Sequence, residues 1–238
     1  MDEMMKQVPV LRLDHGNIHH IPSDKVGREN VLSLCINDKL VFTNTVSPQN
    51  LREWAAGVLL CGGHITKADQ IRSIERDHNR ILTTVTNPGE TDHTPVAKTR
   101  LASVSPAAIF DGAAWIAQAP CYLQTGGFHA AAVMSLSGER IFLVEDIGRH
   151  NALDKALGHV LLNDIPLSDV LVIQSGRLAR DMVEKAVKAG IFLLGSVSAP
   201  TAEGVEIAKT YGLALVGFIR NKRMNIYSRP ESIDTGAA

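Results

Sequence analysis

Apolar residues recur along the chain with two different periods, and the change between them divides it. Residues 8–46 alternate in the manner of strands. Two runs, Val31–Ile36 and Leu40–Val46, flank Asn37-Asp38-Lys39 and predict a hairpin. Ser47-Pro48 then predicts a helix start, with serine as N-cap and proline at the first helical position. Leu51, Trp54, Ala55, Val58 and Leu59 would form its buried stripe, and Gly62-Gly63 would stop it. Residues 64–86 carry less pattern, apart from a strand-like run at Arg80–Thr86. The polar stretch 87–100 holds two prolines and no periodicity, which predicts a long loop, either functional or disordered.

From Ser105 the period changes. Ser105-Pro106 predicts a helix to about Ala119, and strands follow at Phe128–Leu136 and Arg140–Val144. Helices at 150–162, 178–189 and 201–211 then alternate with strands at 169–174, 191–195 and 213–219. This order predicts an α/β fold whose mostly parallel sheet is covered on both faces. The tail after Tyr227 is expected to be loose. We therefore expect two domains: a smaller β-rich lobe over 1–104, with one helix and the long polar loop, and an α/β domain over 105–238 that carries the ligand pocket.

Composition changes this picture little. The 238 residues are 45% apolar and 21% charged, a globular balance. With 24 basic and 25 acidic side chains the net charge is −1, so no bulk attraction draws the chain to nucleic acid or to an anionic membrane. The first residues are acidic where a signal peptide would be basic, and no run reaches membrane-spanning length. A soluble cytoplasmic protein is expected. Its three cysteines, Cys35, Cys61 and Cys121, lie far apart and form no C-x-x-C pair or disulfide framework.

The candidate chemistry gathers at strand-to-helix junctions. Glu145–Lys155 (EDIGRHNALDK) crowds two acids, a glycine, an arginine, a histidine and an amide into one such turn. Asp146, Arg149, His150 and Asn151 are its candidate ligand contacts. The second junction, Gln174–Arg177, offers Ser175, Gly176 and Arg177, with Arg180 one turn on, and the third contains Ser198. All three fall at carboxyl ends of strands, where open α/β sheets bind ligands and free helix N–H groups favour anions. Phe218-Ile219-Arg220-Asn221-Lys222-Arg223 adds a basic cluster at a further strand end. A ligand bearing phosphate fits this set, although Ser, Thr and Gly are also ordinary capping residues. His129 follows the Gly126-Gly127 pair and reads equally as a site residue or as a satisfied core histidine. Cys121 is a candidate nucleophile, but it reads first as a small buried hydrophobe.

Several stretches together carry a family resemblance: QTGGFHAAA (124–132), EDIGRHNALDK (145–155), SGR (175–177), SAPTAEGVEIA (198–208) and GFIRNKRMNIY (217–227). The chain resembles the formate dehydrogenase accessory family, FdhD, over nearly its whole length. The resemblance implies a cytidine-deaminase-like three-layer α/β/α core with a smaller β-rich N-terminal lobe. It also implies a cytoplasmic homodimer that passes sulfur from a cysteine desulfurase to the molybdenum cofactor before the cofactor enters formate dehydrogenase. The cofactor, in its molybdopterin guanine dinucleotide form, would bind the segment Phe218–Arg223. A zinc deaminase would need H-x-E where His150-Asn151-Ala152 stands and P-C-x-x-C near Ser175-Gly176-Arg177, so no metal site is expected. One departure matters. The family's persulfide-bearing C-x-x-C should precede the TGG motif, yet no cysteine occurs between Gly62 and Pro120. Either Cys121 or Cys61 substitutes, or the chain binds the cofactor or a guanine nucleotide without persulfide chemistry.

Overall fold

The alternation of the first third folds into two antiparallel units. Met5–Asp14 (β1) and Asn17–Gly27 (β2) pair as an isolated two-stranded ribbon. Asn30–Ile36 (β3) and Lys39–Val46 (β4) form the predicted hairpin, and its tip residues Asn37 and Asp38 both take positive φ, 46° and 66°. A turn of that kind matches the strand twist, and Asn and Asp tolerate the left-handed region better than most side chains. Ile71–Asp77 (β5), which the pattern did not reveal, and Arg80–Val85 (β6) complete a sheet in the order β4-β3-β6-β5. The structure, a computed structural model, describes residues 3–86 and 102–236, so the predicted loop at 87–100 lies outside the described residues.

Leu51–Cys61 (α1) follows β4, and here the expected cap is corrected. The N-cap is Asn50, in the left-handed region, while Ser47 is fully buried and bonded elsewhere. Strand β4 runs to Val46, and residues 47–50 turn through an internal interface before the helix can begin.

In the second half Ser105 does cap Pro106–Ile116 (α2), its Oγ accepting from the Ala108 N–H. The helix ends at Ile116, short of Ala119, because a separate short helix, Pro120–Thr125 (α3), starts at its own proline. The alternation then holds: His129–Ser135 (β7), Arg140–Asp146 (β8), Arg149–Leu162 (α4), Val170–Gln174 (β9), Arg180–Ala189 (α5), Leu193–Ser196 (β10), Ala202–Tyr211 (α6) and Ala214–Arg220 (β11). Arg223–Ser228 (β12) is an antiparallel edge strand, and beyond it Ile233 bridges Val104, so the chain after Tyr227 is not loose. Asn221 and Lys222 close the β11–β12 turn with positive φ of 52° and 55°, without the glycine that would have signalled a hairpin.

The large sheet has the order β12-β11-β10-β9-β7-β8. Strands β8 to β11 share one direction, but β7 runs against them between β9 and β8, and β12 runs against β11. The sheet is therefore mixed, where a mostly parallel one was expected. Leu157 of α4, Val183 of α5 and Ala208 of α6 join one core face, and Ala108 and Ile109 of α2 join the other, giving three layers.

One helix connects the two sheets. Trp54 and Ala55 of α1 pack on Leu32, Leu34 and Ile81 of the small sheet. Ala56, Leu59 and Leu60 enter one core with Ala152, Leu153 and Ala156 of α4. The two helices approach closely because each has a glycine at the crossing. A Cβ on Gly57 would overlap the Asp154 carbonyl, and one on Gly158 would overlap that of Glu53.

Candidate functional site

The predicted junctions converge. β8, β9 and β10 end at one edge of the sheet, where α4, α5 and α6 begin and β7 starts. A cavity of about 1300 Å³ opens there on the α2 side. Ala113 of α2 and its C-cap Ala117 leave room for it, Phe110, Tyr122, Phe128 and Ile219 give it apolar walls, and His129, Ser175, Arg220 and Lys222 supply its polar groups. Its size exceeds the roughly 300–1,000 Å³ usual for small-molecule sites, and its walls are mainly apolar with a few polar groups.

Local structure positions each polar group. Ala130 donates its N–H to Ser175 Oγ at 3.1 Å, and the same oxygen lies 2.9 Å from His129 Nδ1. The Ser175 hydroxyl can donate to Nδ1 or accept from it, and in the tautomer where it donates the ring proton sits on Nε2. Burial, aided by the positive charge of Arg149, holds the His129 pKa below its ordinary value, so the ring favours its neutral form.

The basic rim is a strained one. β11 bulges between Gly217 and Arg220, and within the bulge Phe218 has φ 53°. A bulky residue there is an outlier, and left-handed backbone costs about 1–2 kcal/mol for an ordinary side chain. Asn221 and Lys222 share that region, so the backbone strain sits at the cavity mouth. The Arg220 guanidinium lies 5.8 Å from the centre of the Phe218 ring. Arg223 faces Arg220 across the turn and does not line the cavity.

The Glu145–Lys155 stretch divides its work. Asp146 and Lys155 form a fully buried ion pair at 2.7 Å. Asp146 also accepts from the N–H groups of Ser47 and Gly148, and Lys155 donates to the Ser47 carbonyl. Asn151 donates to Asp146 and to the Thr45 carbonyl, and its oxygen accepts from Asn44 and from the Trp54 indole. Asp146 and Asn151 thus tie α4 to the small lobe and do not line the cavity. His150 bridges to Asp181 of α5 at 2.6 Å, and the Arg149 stem crosses Gly176, whose added Cβ would come within 2.8 Å of it. Arg177 is exposed, and Arg180 pairs with Glu184. Ser198 is a structural link: its N–H donates to Ser196 Oγ, and its carbonyl accepts from the Phe218 N–H.

All three cysteines are free and buried. Cys121 is the second residue of α3, whose first N–H groups are capped by the buried Glu145 carboxylate. Burial and that carboxylate push its thiol up to about 12. Burial and Asp154 push Cys61 up further still. A sulfur nucleophile needs the reverse, a thiolate stabilised by positive surroundings. Among the described residues no three His, Cys, Asp or Glu side chains converge as metal ligands.

Sequence reasoning missed α3, Glu145 as its cap and the α2 wall. A proline at 120 was the one available signal for α3.

The model of the FdhD/NarQ family matches residues 90–234. A relative from Methanocaldococcus jannaschii, Protein FdhD, is 32% identical over 94% of this chain and 97% of its own length. The chain belongs to the FdhD/NarQ family. Sulfur carrier protein FdhD of Sulfolobus acidocaldarius is 47% identical, but that match spans 46% of this chain and 44% of the relative. The fold of this chain is similar to that in the crystal structure of a proposed formate dehydrogenase accessory protein from Desulfotalea psychrophila. It has a TM-score of 0.85 and 29% identity over 97% of this chain and 99% of that one. No helix among the described residues of this FdhD/NarQ member is long and apolar enough to cross a membrane.

Proposed function

We propose that this chain is a formate dehydrogenase accessory protein that holds the molybdenum cofactor, in its guanine dinucleotide form, and carries no sulfur on its own cysteines. The observation behind this reading is the cavity of about 1300 Å³ with its basic, strained rim. Flat pterin and guanine rings suit the aromatic walls of Phe110, Tyr122 and Phe128, and phosphates suit Arg220 and Lys222. His129 Nε2 offers a further neutral donor. In this reading the protein works in the cytoplasm as a homodimer and passes its cargo to formate dehydrogenase. Its body follows the cytidine deaminase plan, with Ser175-Gly176-Arg177 where zinc-binding cysteines would stand.

Titration calorimetry with GDP tests it. Wild-type protein should bind, and Arg220→Ala should weaken binding about ten-fold or more, the worth of one charge-assisted hydrogen bond. Absence of binding, or equal binding by the variant, would remove the cavity as the site.

A second reading, sulfur transfer from a cysteine desulfurase to the cofactor, draws on the name of the Sulfolobus relative. The burial of Cys35, Cys61 and Cys121 favours the first reading.

A further inference from the structure

Two polar groups across β9 from the cavity have no partner among the described residues. Gln174, the last residue of β9, is 1% exposed, and neither its Nε2 nor its Oε1 makes a hydrogen bond. The Nε of Arg149, the first residue of α4, is also buried and unbonded. An unpaired buried polar group destabilises the fold, and such groups are few in folded proteins.

Strand parity says where the amide points. Val170 and Val172 pack in the core beneath α4 and α5, whereas Leu171 and Ile173 pack on the α2 side. Gln174 therefore projects to the α4–α5 face, at the end where both helices begin, while Ser175 faces the cavity. Arg149 stands at the same place, its stem against Gly176. The N-cap residues Gly148 of α4 and Ala179 of α5 give no side-chain cap, although Asp181 Oδ1 accepts the Met182 N–H in the first turn of α5. Ser196, beside Gln174 in the sheet, fixes the floor by donating to the Gly176 carbonyl. The carboxylates near these helix starts are engaged, Asp146 by Lys155 and Asp181 by His150.

We propose that Gln174, Arg149 and the N-termini of α4 and α5 form a second ligand site, back to back with the cavity, for a hydrogen phosphate group. The arrangement supplies N–H donors from the guanidinium, the amide and the two helices, which suits a tetrahedral oxyanion. The Gln174 carbonyl oxygen adds a requirement, because it needs a donor from the ligand. Phosphate keeps a P–OH at neutral pH, whereas sulfate has no proton to give. The site therefore selects phosphate over sulfate, and it takes the free ion or, as the monoanion that still keeps its P–OH, a phosphate monoester. It stands apart from the cavity reading, so GDP binding and phosphate binding succeed or fail separately.

The test is a thermal-shift and calorimetric titration of the whole chain with inorganic phosphate, with sulfate at equal ionic strength, and with glycerol phosphate. Phosphate should raise the Tm of the wild type and sulfate should not. Glycerol phosphate acting alongside phosphate assigns a monoester ligand; its exclusion assigns the free ion. Gln174→Leu removes the unpaired amide, so it should raise the Tm without ligand and abolish the phosphate shift. Arg149→Lys keeps the charge, loses Nε and should weaken phosphate at least about ten-fold. A Gln174→Leu protein with lowered Tm would show the amide to be structural. A phosphate shift equalled by sulfate, or kept in both variants, would equally overturn the proposal.

Discussion

The carboxylate of Glu145 accepts the backbone N–H of Cys121 at 2.9 Å. The same group that starts α3, and so sets Tyr122 against the cavity, also places a negative charge beside the thiol. Cys121 should therefore resist iodoacetamide at about pH 8.5, where a free thiol is half ionised. Glu145→Gln removes the charge and keeps one acceptor, and should raise the alkylation rate several-fold. It should also cost about 1–2 kcal/mol, the loss of a charge-assisted cap. Alkylation of the wild type as fast as a free thiol would contradict this picture.

The crossing of α1 and α4 tolerates no side chain at its glycines. Gly57→Ala or Gly158→Ala would drive a methyl group into helix backbone, Asp154 or Glu53 respectively. Each change should destabilise the fold by about 1–3 kcal/mol or more. For a chain of this size that lowers the Tm by about 2–4 °C per kcal/mol. Calorimetric unfolding would check it.

His129 gives the protein a one-sided pH response. Its folded-state pKa lies below the ordinary 6.5 because burial and Arg149 oppose the charged ring. Below that ordinary value the unfolded chain binds a proton that the folded chain refuses. Stability is thus full above 6.5 and falls as pH drops through the window down to the folded pKa. Half-buried His64 and His159 shift in the same direction. Unfolding midpoints measured from neutral pH to about pH 5 should decline, and more gently in His129→Asn.

Strain at the cavity mouth should trade against binding. Lys222→Gly relieves a left-handed residue, so it should add about 1 kcal/mol and raise the Tm by about 2–4 °C. The same change removes a cation from the rim and should weaken GDP in calorimetry. A variant that is less stable, or that binds as well, would break the link between strain and site.

The periodic signals were legible. Apart from the short α3, helix and strand alternation from α2 to β11 followed from spacing alone, because each element buries one face in a common core. The basic turn at Arg220–Lys222 was also visible as a motif, and so were His129 and Ser175 singly, but their contact was not. What stayed hidden depends on contacts distant in sequence. Nothing local in Ser47-Pro48 reveals that Ser47 bonds the backbone around Asp146 and leaves the cap to Asn50. Asp146 and Asn151 look like ligand contacts in the chain, yet their side chains are engaged by β4, α1 and the turn after Val46. The direction of β7 was hidden as well, since an apolar strand reads alike in either orientation.

The central claim is that this protein holds the cofactor without carrying sulfur on its own cysteines. Its most direct test is to incubate the protein with a cysteine desulfurase and labelled cysteine, then map persulfide by mass spectrometry of the intact chain and its peptides. The account predicts Cys35, Cys61 and Cys121 all recovered as unmodified thiols. Label retained as persulfide on any one of them, under conditions where GDP also binds, would contradict it.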